Sequence, residues 1–397
     1  MRGHITKRGK NSYTIVLSMG NDPVTGKRRQ QWVSVKGTKK DAERRLAELV
    51  HQIDNGGFVR PNKVTVREFL ERWINDCVRP NVSKKTLYGY SDIVHGRLIP
   101  ELGSIPLTDL RPEPIQTLYA KWMESGRLDG KGALSARSVQ RYHQCLHRAL
   151  KTAMEWGLIS RNPTDAVRPP NVQSREMRTL DDHGIRTVLE AANGTAYYSL
   201  FYLALSSGMR RSELLALRWC DVDLLLGQVS VSRSLHHLRD GSTDIRTPKT
   251  AKGRRTIALP PSAALVLRNH KEKQEAVCET MGKSMQAADL IFCHPEDASP
   301  LLPDTVTRTW IKLARRNGLT GVRLHDLRHT HASMMLKQGI HPKIVQERLG
   351  HASIGITLDT YSHVAPGLQA AAAARFDEGL RATLNTGVEK QAVRSEC

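Results

Sequence analysis

No Cys-x-x-Cys pair occurs anywhere in the chain, and its six cysteines, Cys77, Cys145, Cys220, Cys278, Cys293 and Cys397, stand far apart. That spacing indicates neither a zinc ribbon nor a disulfide framework, and it fits a reducing cytosol. No run of roughly 18 apolar residues is present, so nothing is expected to span a membrane. The opening MRGHITKRGK carries charge with no apolar stretch behind it, so no signal peptide is expected. Acid is scarce too: 39 Asp and Glu face 60 Lys and Arg, a net charge of +21. A surplus of this size argues for a polyanionic partner, most simply nucleic acid, bound through phosphate contacts and counterion release. The plainer account is a basic soluble protein. A length of 397 residues leaves room for two or three domains, and 39% hydrophobic content permits real cores.

The most informative stretch is present rather than missing. It runs from His325 to His363: HDLRHTHASMMLKQGIHPKIVQERLGHASIGITLDTYSH. Its spacing predicts three short helices. Leu327, Ala332, Met335 and Leu336 recur at helical intervals, and Gly339 marks a stop. Pro342 opens a second helix where a missing N–H costs little, and Gly350 closes it. Ser353 is placed to cap a third, which carries Tyr361. Apolar faces on such helices must pack, which leaves His325, Arg328, His351 and Tyr361 free to converge. A phenol, a guanidinium and imidazoles around one point suit phosphoryl transfer without a metal.

Two plainer accounts compete. His-x-x-Arg occurs three times, at His183–Arg186, His236–Arg239 and His325–Arg328, so the pattern alone is weak. The run His325-Asp-Leu-Arg-His329 also mimics the zinc motif His-Glu-x-x-His. An arginine beside a dication and a shortened carboxylate argue against zinc.

HDLRHTHAS, then LGHASIGIT, then Tyr361 resembles the catalytic box of the tyrosine recombinases, the phage integrase family. There the order is His-x-x-Arg, Leu-Gly-His and a nucleophilic tyrosine about ten residues on, the interval from His351 to Tyr361 here. The resemblance implies a multidomain fold: a small β-sheet-plus-helix arm-binding module (1–60), an all-helical core-binding domain (64–169) and a mainly α, α+β catalytic domain with a small antiparallel sheet (175–385).

The rest of the chain offers separate signals. Ser12–Ser18 alternates and is β-branched, Asn21–Gly26 reads as a turn, and Gln31–Val35 returns as a strand. Thr38 caps a helix from Lys39 to Ile53 with Ala42, Leu46, Leu49 and Val50 as its stripe. Residues 1–60 hold thirteen Lys and Arg against five Asp and Glu, a surplus of eight. This module resembles the arm-binding domain of conjugative-transposon integrases; an ordinary basic cap would read the same way. Gly56, Gly57 and Pro61 form a linker. Thr65-Val-Arg-Glu68 has capping-box spacing before Phe69, Leu70 and Trp73. Ser83 starts another helix, and Pro100–Gly103 with Pro106 is expected to break the chain. A helix follows around Ile115, Leu118, Tyr119 and Trp122. Ser135 starts a long helix with Leu146, Leu150 and Ala153 on its apolar face. Lys84, Lys85, Arg137, Arg141 and Arg148 supply positive charge. Arg168–Asn171 is a second linker, after which Thr179 is expected to open a helix bearing Ile185, Val188 and Leu189.

An apolar helix over Tyr197–Leu205 leads to Ser207-Gly-Met-Arg-Arg-Ser-Glu-Leu214. Gly208 ends one helix and Ser212 begins the next. The family phrase Gly-x-Arg-x-Ser-Glu selects Arg210 over its neighbour Arg211, with Glu213 as a structural partner for an arginine. Gln228–Ser232 and Arg254–Leu259 read as strands. Between them, the family pattern of Lys-Thr ahead of an Arg-rich strand matches Lys249, with Lys252 as the competitor; on position alone both are ordinary solvated turn lysines. Pro261 opens a helix, Ile291-Phe292 is a short buried piece, and 305–316 is helical. The alanines 370–374 continue as a helix to about Leu384.

The resemblance implies a mechanism. Arg210 and Arg328 neutralise the non-bridging phosphate oxygens, for which planar guanidinium donors are well shaped. His351 adds a hydrogen bond, and His325 assists deprotonation of Tyr361, a weak nucleophile at its ordinary pKa of about 10. Lys249 protonates the leaving 5′-oxygen. The covalent phosphotyrosine conserves bond energy for resealing, so neither cofactor nor metal is expected. The implied partners are double-stranded DNA with core and arm attachment sites, a tetramer on that DNA, an excisionase and a host DNA-bending protein, in the bacterial cytoplasm at the nucleoid. A Xer-type resolvase, a type IB topoisomerase and a DNA-binding regulator without chemistry are the alternatives. The arm module speaks against the first, and occupation of all six catalytic positions speaks against the last.

Overall fold

The computed structural model describes residues 3–21, 26, 28–54, 63–173, 177–247, 253–361, 373–374 and 376–381. The chain divides into two compact units, Met1–Ser174 and Arg175–Cys397. Among the described residues no helix is long and apolar enough to cross a membrane.

The first unit starts with an antiparallel sheet ordered β1 (Gly3–Gly9), β2 (Ser12–Asn21), β3 (Arg28–Lys36), followed by α1 (Lys39–Asp54). Alternation places Ile15 and Leu17 on one face of β2, where they bury against Leu49 of α1, with Leu46 and Val50 beside them. Thr38 and Asp41 cap α1 reciprocally: the Asp41 N–H donates to Thr38 Oγ1 at 3.3 Å, and the Thr38 N–H donates to Asp41 Oδ2 at 2.9 Å. The expected strand 31–35 is thus longer, and β1 adds a strand that residue patterning did not suggest. Most of the expected turn (22–25) and the Gly56–Pro61 linker lie outside the described residues.

The helical part of this unit has its own core. Thr65 and Glu68 form the expected capping box ahead of α2 (Val66–Trp73), with Thr65 N–H to Glu68 Oε2 at 2.8 Å and Glu68 N–H to Thr65 Oγ1 at 3.2 Å. A π-helical turn (Ile74–Val78) extends α2. Helix α3 (Lys84–Ile93) continues through a second π turn (Val94–Leu98) into α4 (Ile99–Leu102). The expected break over Pro100–Gly103 and Pro106 holds in its second half only. Pro100 sits in the first turn of α4, directly after the widened π turn, where its ring has room and its missing N–H is tolerated. The chain turns at Gly103–Pro106, within the expected stretch. Helices α5 (Pro112–Ser125) and α6 (Ala136–Glu155) complete the bundle, with Ser135 Oγ capping the Ser138 N–H at 3.2 Å. Phe69, Trp73, Tyr119 and Trp122 fill the interior, Tyr119 and Trp122 stacking at 5.8 Å.

The second unit opens with α7 (Asp182–Ala192), capped by Asp181, whose Oδ1 accepts from the Gly184 N–H at 2.8 Å. The cap is therefore two residues beyond Thr179, because the carboxylate is the group that reaches the free N–H. Helices α8 (Tyr198–Ser207) and α9 (Arg211–Leu214) meet at Gly208. A sheet ordered β4 (Val222–Asp223), β5 (Gln228–Val231), β8 (Arg255–Ala258) lies beside a hairpin of β6 (Ser234–His237) and β7 (Thr243–Arg246), which patterning had not suggested. Then follow α10 (Pro261–Thr280), α11 (Pro303–Arg316), α12 (Asp326–Lys337), α13 (Pro342–Leu349) and α14 (Ile354–Tyr361). The main core gathers Leu200, Phe201, Val229, Ile257, Leu267 and Trp310, with Phe201 edge-on to Trp310 at 5.0 Å. Ala332, Leu336, Val345 and Leu349 form a smaller core between α12 and α13. Of the predicted C-terminal helix, residues 373–374 and 376–381 are described and helical. The architecture is a multidomain, largely helical chain with small antiparallel sheets.

Candidate active site

The site is organised by the C-terminus of α13. Gly350 ends that helix at φ 66°, and the last carbonyls turn outward without helical partners. Three different arginines take them. Arg255 Nε donates to the Arg348 carbonyl at 2.7 Å, Arg328 Nη2 to Leu349 at 2.8 Å, and Arg210 Nη2 to Gly350 at 3.1 Å. Cations at a helix C-terminus also complement its dipole. The next residue in the chain is His351.

Arg328 reaches a second helix end as well. Its Nη1 donates to the Gly208 carbonyl at 2.8 Å, so one guanidinium, only 3% exposed, joins the ends of α8 and α13. Gly208 is required there twice over. Its φ is +66°, and a Cβ would lie 2.7 Å from both His331 and Leu349 side chains.

Arg210 is the cap residue of α9, and its own N–H donates to Glu213 Oε2 at 2.9 Å while Nη1 pairs with Oε1 at 2.7 Å. Its side chain stays 39% exposed, the most open of the three. Arg211 points elsewhere, to the N-terminus of α11, with Nη1 on the Pro303 carbonyl at 2.8 Å and on Thr307 Oγ1. The two adjacent arginines are thus separated by the turn between them, and Arg210 is the one at the cluster. Glu213 is the arginine partner expected of it, for two arginines rather than one, since Arg255 Nη2 also pairs with Oε2 at 2.8 Å. Burial pulls the Glu213 carboxyl upward, but hydrogen bonds and charge from Arg255, then Arg210, outweigh it and hold it below the usual carboxylate value.

The imidazoles sit in this positive field. His351 is pushed down to about 4, first by burial, then by Arg328 and Arg210. His325, exposed to solvent at the start of α12, is lowered by partial desolvation of its ring and then by Arg328, with Arg210 adding to it. His329 falls to about 4 through burial, His325 and Arg328, and its ring stands edge-on to His325 at 4.9 Å. Uncharged at neutral pH, these rings can accept as well as donate. His325 stands one turn before Arg328, whose N–H donates to the His325 carbonyl at 3.1 Å, and His351 directly follows the Leu349 and Gly350 carbonyls that Arg328 and Arg210 hold. His351 is fixed on both sides: its N–H donates to Gln346 O at 3.1 Å, Gln346 Nε2 donates to its carbonyl at 2.7 Å, and Nδ1 lies 2.8 Å from Thr357 Oγ1. Thr357 is fully buried on α14, and Tyr361 is the last residue of that helix. The Tyr361 side chain, Lys249 and Lys252 lie outside the described residues. Among the described residues no three His, Cys, Asp or Glu side chains are grouped to hold a metal ion.

Residue reading missed Arg255, Gln346 and Thr357. Only Arg255 left a signal: period-two alternation with buried Ile257 turns it inward, while Thr256 and Ala258 are exposed.

Comparison with known proteins places this fold in the tyrosine recombinase class. Residues 178–367 match the phage integrase family, and residues 65–123 match the phage integrase N-terminal SAM-like domain. The chain belongs to the phage integrase family. It is 26% identical over 379 residues to the ICEBs1 integrase of Bacillus subtilis, covering 94% of this chain and 99% of that protein. It is 27% identical to a XerC-like tyrosine recombinase of Caldanaerobacter subterraneus, covering 91% and 94%. A Tn1549 transposon integrase, solved with a circular intermediate DNA, superposes at a TM-score of 0.67 with 20% identity, over 79% of this chain and 99% of that one. A lambda integrase tetramer on a Holliday junction gives 0.57 with 20% identity, over 91% and 95%.

Proposed function

We propose that this integrase-family recombinase of a mobile element cuts and rejoins DNA with Tyr361 as nucleophile and Arg210, Lys249, His325, Arg328 and His351 as its catalytic set. The observation that carries the reading is the convergence of Arg210 and Arg328 on the end of α13 next to His351, with His325 one turn before Arg328. The phenolic oxygen of Tyr361 attacks phosphorus, the bond from phosphorus to the 5′-oxygen breaks, and a 3′-phosphotyrosine forms. His325, uncharged in this field, takes the phenolic proton. Arg210, the most open guanidinium, meets a non-bridging oxygen, and Arg328 adds its charge from behind while holding the two helix ends. His351 donates to the other oxygen. Lys249 supplies a proton to the departing 5′-oxygen, with Lys252 as its competitor. Attack by a 5′-hydroxyl of another strand reverses these steps and releases Tyr361. Residue 361 follows Thr357, the partner of His351, by one helical turn, which supports its place at this site.

The division of labour we infer is arm-site binding by 1–60, core-site binding by 64–169 and chemistry in 175–385. The separate cores of the β module and the helical bundle support this division, and the basic β module favours an element integrase over a Xer-type resolvase. We extend the partners to double-stranded DNA with core and arm sites, a tetramer during strand exchange, an excisionase and a host DNA-bending protein, at the bacterial nucleoid.

The test uses the full chain and DNA from the borders of its own element. Tyr361→Phe should bind that DNA as the wild type does and form no SDS-resistant adduct. An adduct with the Phe variant removes Tyr361 from the mechanism.

A further inference from the structure

Arg255 has its donors spent inside the protein. It lies on β8, just after residues 248–252, and its side chain is 7% exposed. Nη1 and Nη2 donate to Glu213 Oε1 and Oε2 at 3.2 and 2.8 Å. Nε holds the Arg348 carbonyl at 2.7 Å, and Nη1 also reaches the Gly253 carbonyl at 3.3 Å. A guanidinium enclosed in this way is not placed to meet a phosphate. Whatever it does for the reaction passes through the groups it holds.

Those groups are well chosen. One buried carboxylate, Glu213, is shared between Arg255 and Arg210, so the trio carries one net positive charge. With Arg255 in place, the open Arg210 keeps much of its charge for an anion arriving from solvent. Without Arg255, Glu213 is neutralised by Arg210 alone, and the pair presents no net charge to a phosphate. A buried carboxylate left with a single partner also draws that partner inward. Meanwhile the Arg348 carbonyl, three residues before His351, loses its donor, and so does Gly253 at the foot of the Lys249 segment.

We propose that Arg255 is a positioning residue for strand cleavage, sharing Glu213 so that Arg210 stays charged and aimed, and tying the backbone before His351 to the backbone after Lys249. The proposal rests on the reading of Arg210 as the phosphate-binding residue. It predicts an effect on chemistry rather than on DNA affinity, which is spread over many contacts elsewhere.

The experiment measures the single-turnover rate of adduct formation at saturating border DNA, the Kd for that DNA at fixed salt, and the melting temperature, all on the full chain. Arg255→Met should slow the adduct by about 10²-fold, the size of effect seen when one transition-state donor is lost, with Kd within about twofold on the same argument from spread contacts. Adding Glu213→Gln to Arg255→Met should recover about tenfold of that loss, because the unshared carboxylate is gone and Arg210 regains its charge. A purely packing role for Arg255 predicts no such recovery. Arg255→Lys keeps the charge without the planar pair of donors, folds, and should be slowed less than the Met variant. If Arg255→Met does not fold, Arg255→Lys decides, and a wild-type rate in it overturns the proposal. So does a wild-type rate in Arg255→Met, or a folded double variant no faster than the single one. Arg210→Ala runs alongside: if it cleaves normally, the reading of the site itself has failed, separately from the role of Arg255.

Discussion

In the helical bundle of residues 63–173 the arginines are exposed, apart from the half-buried Arg97, which donates to the Gly126 carbonyl. Arg67 and Arg72 pair with Glu71 and Asp76 one turn along, all well exposed, over an interior of Phe69, Trp73, Tyr119 and Trp122. In the catalytic unit the pattern is inverted at its centre. The side chains of Arg328, Arg255 and Glu213 are buried, and His329, His331 and His351, with the more exposed His325, have lowered pKa values in the same unit. Apolar burial is non-directional and tolerates small shifts. Hydrogen bonds from guanidinium to carbonyl are directional, and each lost donor leaves a buried acceptor unmet. The bundle is built to keep its shape, while the catalytic unit spends stability on holding charge in place.

The largest effect expected from this contrast is at Arg328. Arg328→Ala leaves the Gly208 and Leu349 carbonyls without that donor, at about 1–3 kcal/mol each, and removes a charge from the site. Denaturant titration should show a clear loss of stability, and the adduct should fall by about 10³-fold or more. Arg72→Ala in the bundle should change stability by no more than about 0.5 kcal/mol. Equal losses in the two variants would erase the contrast.

Acid should separate the units next. His329, His331 and His351 titrate near 4 in the folded protein against an ordinary 6.5. Between those values the unfolded chain binds more protons than the folded one, so stability is complete above about 6.5 and is lost as the pH falls toward 4. In the bundle His143 is lowered, by burial first and then by His147. Hydrogen exchange at several pH values, read unit by unit, should show the catalytic unit opening first. His331→Gln should flatten its slope, and a catalytic unit as insensitive as the bundle would refute the account.

A smaller effect sharpens the other side. Thr65→Ala removes one half of the capping box on α2 and should cost about 1 kcal/mol, with the rate of adduct formation unchanged. A slowed adduct at saturating DNA would mean that this cap serves more than the shape of the bundle.

Much of this was legible beforehand, and for local reasons. Caps at Thr38, Thr65 and Ser135, the stop at Gly208 and the Pro342–Gly350 bounds of α13 depend on neighbours within four residues. Pro100 itself did not break the helix because it falls in the first turn of α4, directly after a π turn, where its missing N–H is tolerated. Thr179 misled because the free N–H lay nearer to Asp181. The β6–β7 hairpin was missed because four-residue strands with two histidines carry little alternation.

The sequence by itself determined the family, the six catalytic candidates and most element boundaries, because motif spacing and capping chemistry act within a turn or two of chain. It could also prefer Arg210 to Arg211 by phrase. Only the tertiary structure showed where the two arginines go, one to the end of α13 and the other to the start of α11. It alone showed that Arg255, Arg328 and Arg210 divide three successive carbonyls, and that Glu213 serves two of them. Apart from Arg210 and Glu213, three residues apart, those partners lie 21 to 140 residues apart in the chain. No local propensity records such a pairing. It arises when two helix ends and a strand are packed together and their unmet carbonyls need donors.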